Sequence, residues 1–414
     1  MNIGVFHPGT QHSWQTALAL QQADRLAWYA TSLFYKPDEW PYRIERYLSG
    51  KLRKRVSAEF GRLAMPALNP ELVQASGAAE WFERIANRLG QRELAKWLDR
   101  RGNRNFVHGI SELVRAPGDL ALWGYNGSSL TSFELAKQVG GRPCILDRTI
   151  GDARAYNAAM VDLQDRFGEW FLPVERAVPE DTIARDDREF ELADHILVGC
   201  EYARRTLIDH SPVVSVASKT QVLGYCFDEA LFSDIPAPKP VKKNRPVRFL
   251  FLGLVIPRKG IHHILEALGQ IPESEAELTI VGDMKVPAEA FAKYAGRVTY
   301  KPTVARSQVP KIMAEHDVLL LPTYHEGAGI VLYEALAAGM GIIQSNRAAL
   351  VATPETGLIL DQLDTNTVLQ ALRVPIEDRD RLNGWRAAAQ SEAANYTFAK
   401  YRQGIETFLA KAGI

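Results

Sequence analysis

Short apolar runs alternate with amphipathic stretches through most of this chain. In the first half, residues 2–6, 120–125, 143–146, 195–199 and 221–225 are such runs. Mostly apolar segments of this length, without polar alternation, predict strands buried on both faces, as in parallel sheets. Residues 247–253, 278–282, 298–300, 318–321 and 341–344 repeat the pattern in the second half. Helical stretches separate them, around 14–23 and 190–194 for example, and Asn126, Gly127 and Ser128 turn the chain after the second run. Strand–helix alternation predicts an α/β chain of doubly wound parallel sheets.

The alternation lapses twice. Around residues 239–248 the chain is polar and basic and carries Pro238, Pro240 and Pro246, which fits a linker, drawn at 226–246. From about 41 to 104 it is helical in character, with Arg43, Arg46, Lys51, Arg53, Lys54, Arg55 and Arg62 against Glu45 and Glu59. Two readings stay open: an ordinary solvated helix face, or an acceptor-side surface that meets anionic lipid headgroups or a lipid-linked diphosphate. Tyr42, Tyr47, Leu48, Phe60 and Leu63 interleave with these charges. They suit an interfacial helix and equally suit a helix packed on its own domain.

Composition narrows the class. A chain of 414 residues accommodates two Rossmann-size domains. A formal net charge of zero supplies no global field for nucleic acid. Cys144, Cys200 and Cys226 follow no metal-ligand spacing and read as buried thiols of a reducing compartment. No apolar stretch approaches the roughly 20 residues of a membrane span. The first residues read as a strand and not as a leader. These points give the expectation of a cytoplasmic protein whose membrane contact, if made, is peripheral, at the inner face of the cell membrane.

Candidate chemistry centres on Glu326 and Glu334, separated by seven residues. A buried strand precedes them, a helix follows at 331–338, and Glu326, Gly327, Ala328, Gly329 and Ile330 lie at the junction. The glycines let the backbone approach a ligand, and the helix N-terminus favours a phosphate. Glu334, read at the end of the first helical turn, can accept two hydrogen bonds from a ribose diol. Arg258 and Lys259 follow the strand ending at Gly253 and stand beside another helix start. There they can face a diphosphate, Arg as a fork and Lys as a point charge.

The segment from Glu326 to Glu334 resembles the paired-glutamate signature of the retaining glycosyltransferases of family four, which adopt the GT-B fold. Gly253 through Gly260 resembles that family's phosphate loop, and residues 278–283, with Gly282, the strand and turn bordering its base pocket. Residues 304–313 resemble the segment that meets the nucleobase. Residues 191–198 are similar to its last first-domain helix and strand, with Cys200 and Glu201 where a Ser–Glu pair is usual. Gly224 to Asp228 with Phe232 is similar to its hinge. The resemblance implies two Rossmann-like domains facing across a cleft: an acceptor-side domain at 1–225, a nucleotide-sugar domain at 247–395, and a helix at 396–414 that returns to the first domain. It implies that Glu326 faces the donor sugar, Glu334 holds the ribose, and Arg258 and Lys259 stabilise the departing diphosphate.

Before residue 191 the resemblance is weak. The family's glycine pair in the first loop is represented by Gly9 alone, followed by Thr10 and His12. Its mid-domain histidine is missing from the stretch holding Asp147, Arg148 and Asp152. Asp152 either replaces that imidazole or caps the helix at Ala153. Asp147, Arg148, Asn126 and His12 are the acceptor-side candidates. The resulting expectation is a metal-independent retaining glycosyltransferase that uses a nucleoside diphosphate sugar as donor and needs no cofactor. The acceptor would be a cell-surface polysaccharide, lipopolysaccharide or lipid-linked glycan. Alternatives are another GT-B enzyme, an epimerase or phosphorylase, and a non-catalytic nucleotide-sugar-binding protein.

Overall fold

The computed structural model describes residues 1–9, 12–61, 63–75, 91–172 and 177–414. Thr10, expected on the donor side, Arg62, and residues 76–90 of the basic insertion lie outside the described residues. Two parallel sheets form. The first holds β1 (Asn2–Phe6), β2 (Leu26–Thr31), β3 (Val73–Ala75), β4 (Leu120–Tyr125), β5 (Cys144–Arg148), β6 (His195–Val198) and β7 (Thr220–Val222), in the order β3-β2-β1-β4-β5-β6-β7. The second holds β8 (Val247–Leu252), β9 (Ala276–Val281), β10 (Thr299–Lys301), β11 (Val318–Leu321), β12 (Gly341–Ser345) and β13 (Gly357–Leu360), in the order β10-β9-β8-β11-β12-β13. Every residue of β4, β5, β11 and β12 is buried, because helices cover both faces.

The strands that periodicity did not reveal are β2, β3 and β13. The last two are short and lie at sheet edges, where partial exposure blurs the apolar run. The basic insertion is consequently not all helix. It contains a 3₁₀ turn at Tyr42–Tyr47, helix α2 (Gly50–Gly61), the edge strand β3, and the start of α3 (Arg92–Arg115). Tyr42, Phe60 and Leu63 are buried with Leu33 in a satellite core, so these apolar residues pack onto their own domain.

Two segments tie the domains together. Helix α8 (Phe398–Ala412) lies on α1 (Ser13–Gln22), where the Tyr401 hydroxyl is 2.8 Å from Thr16 Oγ1 and Arg402 donates to Gln22 Oε1 at 3.0 Å. Helix α4 (Ala153–Phe167) and the turn Gly168–Trp170 cross the other way. Met160, Leu163 and Trp170 are buried in the apolar cluster of the second domain, with Ile261, Ile264 and Tyr324.

His262, on helix α6 (Ile261–Leu268), sits under this strap. Its ring lies 4.5 Å from that of Phe167 and 4.0 Å from that of His263. Both ring nitrogens are buried without a hydrogen-bond partner among the described residues. Burial holds His262 well below its ordinary value, and burial pushes His263 down to about 4. The unfolded chain therefore binds protons that the folded chain refuses between the unfolded value of 6.5 and about 4. Stability from these histidines is complete above that window and is lost as pH falls through it. The thermal midpoint should drop on acidification from neutral pH toward 5. His262→Phe should raise the midpoint, by roughly 1 kcal/mol in stability, and flatten its pH dependence. Denaturation followed by circular dichroism across that range checks both.

Candidate functional site

Each sheet reverses its winding between its first and fourth strands, β1 and β4 in one and β8 and β11 in the other. The loops at the carboxyl ends of strands beside such a switch point form a natural ligand crevice. Here the two crevices open on one cleft of about 1010 Å³, lined from the first domain by His12, Trp14, Gln15, Thr149 and Tyr225 and from the second by Gly253, Lys259, Arg306, Glu326 and Ala328.

The loops after β8 and β11 are stitched together. Tyr324 N donates to Arg258 O at 2.8 Å, and the Arg258 guanidinium donates to His325 O. Glu326 thereby sits between two cations, Oε2 being 3.4 Å from Lys259 Nζ and 3.6 Å from Arg258 Nη1. Oε2 is buried and accepts no hydrogen bond among the described residues. Burial alone would push this carboxyl up, but Lys259 and then Arg258 outweigh it and hold the group below the usual carboxylate range. Glu326 is an anion at neutral pH, flanked by these two cations.

Helix α7 (Ile330–Ala337) begins at the cleft, with Gly329 at its N-cap in the left-handed region (φ +83°). Ala328, Gly329 and Ile330 line the cleft, so the positive end of the helix faces into it. Glu334 is the fifth residue of this helix, slightly deeper than the first-turn position expected of it. Its carboxylate is 3.0 Å from Arg306 Nη2. Burial raises its proton affinity and Arg306 opposes that rise. Arg306 is a site residue the sequence did not single out. A lone arginine in a loop carries no pattern, and only the fold brings it to Glu334.

The Glu326 loop also touches the first domain. Cys200 Sγ lies 2.7 Å from Gly327 O. A Cβ on Gly327 would stand 1.8 Å from Thr149 O, so no larger residue fits without separating the domains. His325, fully buried, has Nδ1 at 3.1 Å from the Tyr202 hydroxyl, on helix α5 (Glu201–His210). Burial, then Arg258, pushes His325 down to about 4, so a neutral ring forms this contact.

The first-domain candidates divide. His12 lines the cleft with its ring centroid 3.9 Å from that of Tyr225 and Nε2 at 3.8 Å from Asp147 Oδ1. Asp147 lies beneath it, accepting from the Tyr225 hydroxyl at 2.8 Å, with Oδ2 buried and unpartnered among the described residues. Arg148 turns away to Asp186 at 2.7 Å and donates to Gly151 O at 3.0 Å. Asn126 Oδ1 accepts from Thr149 N at 2.9 Å. Asp152 takes the capping role, accepting from Arg154 N at 2.7 Å, and burial raises its proton affinity. Arg148, Asn126 and Asp152 thus shape the turn after β5, and its Thr149 reaches the cleft. Gly9 N donates to His7 Nδ1 at 3.0 Å within the first loop, and Gly282 packs against the Gly253 carbonyl. His263 lies away from these groups, bonding the Tyr324 hydroxyl and Thr365.

Residues 246–378 match the family described as Glycosyl transferases group 1. D-inositol 3-phosphate glycosyltransferase of Rhodococcus jostii is 27% identical over 172 residues, which is 37% of this chain and 38% of that protein. Lipopolysaccharide glucosyltransferase WaaG of Escherichia coli is 39% identical over 106 residues, 24% of this chain and 28% of that protein. The chain thus spans well under half the length of these relatives. Solved structures match over nearly all of it. Anabaena HepE in complex with UDP has a TM-score of 0.61 at 14% identity, covering 99% of this chain and 100% of that one. Sucrose-phosphate synthase from Thermosynechococcus elongatus has a TM-score of 0.65 at 16% identity, covering 100% and 99%. The fold is GT-B, and the match to glycosyl transferases group 1 falls on residues 246–378, the domain that holds Glu326.

Two glycine substitutions contrast a packed position at the site with an open one away from it. Gly327→Ala should lower the thermal midpoint, by about 2 kcal/mol or more in stability, because the methyl meets the Thr149 carbonyl. Gly384→Ala, on an open helix position with nothing within 4 Å, should raise it slightly.

Proposed function

We propose that this chain is a retaining, metal-independent glycosyltransferase that moves a sugar from a nucleoside diphosphate sugar to a glycan or lipid-linked acceptor. The observation that carries the reading is Glu326, buried between Lys259 and Arg258 at 3.4 and 3.6 Å, at the switch point and beside the N-terminus of α7. In this reading the donor diphosphate lies against α7, Arg258 and Lys259. Glu334 accepts from the ribose hydroxyls once Arg306 swings aside. Glu326 orients the sugar by accepting from its hydroxyls.

Transfer then follows same-face attack. The bond from the anomeric carbon to the diphosphate oxygen breaks and the acceptor oxygen bonds to that carbon from the same side. The acceptor proton passes to the departing phosphate oxygen. The cations stabilise the charge that develops on the leaving group, the main electrostatic task of such a step. His12, backed by Asp147 and with its ring against that of Tyr225, lines the cleft from the first domain and is suited to bind a hydroxyl of the donor sugar or acceptor.

UDP is the first nucleotide to test, since HepE was solved in complex with UDP. A lipopolysaccharide or lipid-linked acceptor is supported by the names of the E. coli lipopolysaccharide glucosyltransferase and a phosphatidylinositol mannoside mannosyltransferase of Mycobacterium tuberculosis, 32% identical over 157 residues.

Calorimetry with UDP, GDP, ADP and dTDP in the presence of a chelator should give saturable binding of one of them. Glu334→Ala should weaken that binding about tenfold or more, a loss of one hydrogen-bonded contact or two. Unchanged affinity in this variant would count against the ribose role. Arg258→Ala should lower turnover on the order of 100-fold with a smaller change in KM. Nucleotide binding without acceptor-dependent release of diphosphate would favour a binding protein over an enzyme.

A further inference from the structure

A second recess, of about 390 Å³, lies at the amino ends of β8 and β11, at the opposite end of these strands from the cleft. The segment leading into β8 supplies Lys239, Lys242 and Arg245 to it, β8 supplies Arg248, and the helix Arg379–Ala393 supplies Arg386. The acidic side chains of its lining are Glu315 and Asp317.

These carboxylates do not offset the cations. Asp317 is buried and already accepts from both terminal nitrogens of Arg245, at 2.7 and 2.9 Å, and from Arg248 N at 2.9 Å. Arg386 stands farther from it, at 3.6 Å, and donates instead to Lys239 O at 2.6 Å. Its Nε is buried without a hydrogen-bond partner among the described residues. Arg379, on the same helix and also buried, donates to the carbonyls of Pro375 and Arg245, and its Nε is likewise unpartnered. Three guanidiniums thus crowd one buried carboxylate. Burial lowers the proton affinity of Arg379 and Arg386, and Asp317 opposes that only in part. Lys239 and Lys242 are exposed, with no carboxylate paired to either among the described residues.

The carboxyl ends of α7, at Ala338, and of the helix Val309–Ala314 also line the recess. Together they oppose about one unit of positive charge. Five cations against two carboxylates and these helix ends still leave the recess electropositive.

We propose that this recess binds a phosphorylated small molecule, its phosphate oxygens received by Arg386, Lys239 and Lys242. An anion there supplies the compensation that the buried guanidiniums lack. A planar fork beside two flexible ammonium groups suits a multiply charged tetrahedral group. The volume falls within the range of roughly 300–1,000 Å³ for small-molecule pockets, which favours a free phosphate compound over an extended polyanion. The site does not depend on the glycosyltransferase reading. Its position ties it to the cleft nonetheless. A Cβ on Gly339 would stand 2.9 Å from Pro238 Cγ, and Gly339 follows α7, whose other end opens on the cleft. A ligand that holds Lys239 and Lys242 to Arg386 fixes this segment against the end of that helix.

Calorimetry of the full chain with pyrophosphate tests it. Two sites should appear, one lost in Lys259→Gln and the other in Lys239→Gln with Lys242→Gln. At its own site the double variant should lose affinity about tenfold or more. It should keep the thermal midpoint and the nucleotide affinity of the unsubstituted protein, since both lysines are exposed. No pyrophosphate binding, a single site abolished by Lys259→Gln, or two sites retained in the double variant would overturn the proposal. Pyrophosphate bound at the second site should not be displaced by phosphatidylglycerol vesicles or by single-stranded RNA. Displacement by either would make the recess part of a polyanion surface and sink the small-molecule assignment. Loss of the Lys259-dependent site alone would count against the donor reading and leave the recess standing.

Discussion

A carboxylate can be buried only where cations or donors offset its lost hydration, and Glu326 meets that condition through Lys259 and Arg258. These three residues come from two loops more than sixty residues apart in sequence. They meet because β8 and β11 are neighbours at the centre of the second sheet, so their carboxyl ends deliver both loops to one point. Backbone bonds between Tyr324 and Arg258 then fix the spacing. The same triad couples chemistry to packing. Removing either cation would leave a charge buried with less compensation, so the loops cannot be altered singly without cost to the fold around them.

The Glu326 loop is also where the domains meet. Gly327 lies against the Thr149 carbonyl, Cys200 contacts Gly327 O, and His325 is enclosed by first-domain side chains. On the far side, α4 and Trp170 are built into the core of the second domain, while α8 is built into the first. Each domain thus lends an element to the other. Relative motion that widens the cleft has to part the Gly327 contact and shear the strap over His262. The glycine is the element without an alternative, since backbone meets backbone there.

The projecting basic helix stands apart from this machinery. Its inner residues, Tyr42, Phe60 and Leu63, make a small core of their own, while Trp40, Tyr47 and Leu52 are exposed. Of the two readings its sequence allowed, the packed helix describes Tyr42, Phe60 and Leu63.

Much of the second domain was legible from the chain alone. The strand β11 is an unbroken apolar run and β8 is broken only by Arg248, and Arg258, Lys259, Glu326 and Glu334 sit at fixed offsets from them, in the loops at the carboxyl ends of strands beside a switch point and the helix that follows. The first domain was less legible. Asp147 and Asp152 are both carboxylates near one strand end, yet one lies under His12 and the other caps a helix. Sequence offered no means to distinguish them, since the direction of a side chain after a strand depends on what packs above it. Arg306 against Glu334 and Cys200 against Gly327 were likewise invisible, being contacts between segments far apart in the chain. The sequence by itself determined the two sheets and the charged loops of the second domain, through local periodicity and spacing. Only the tertiary structure decided which residues face the cleft, because that depends on the mutual position of two domains whose contacts are all long-range.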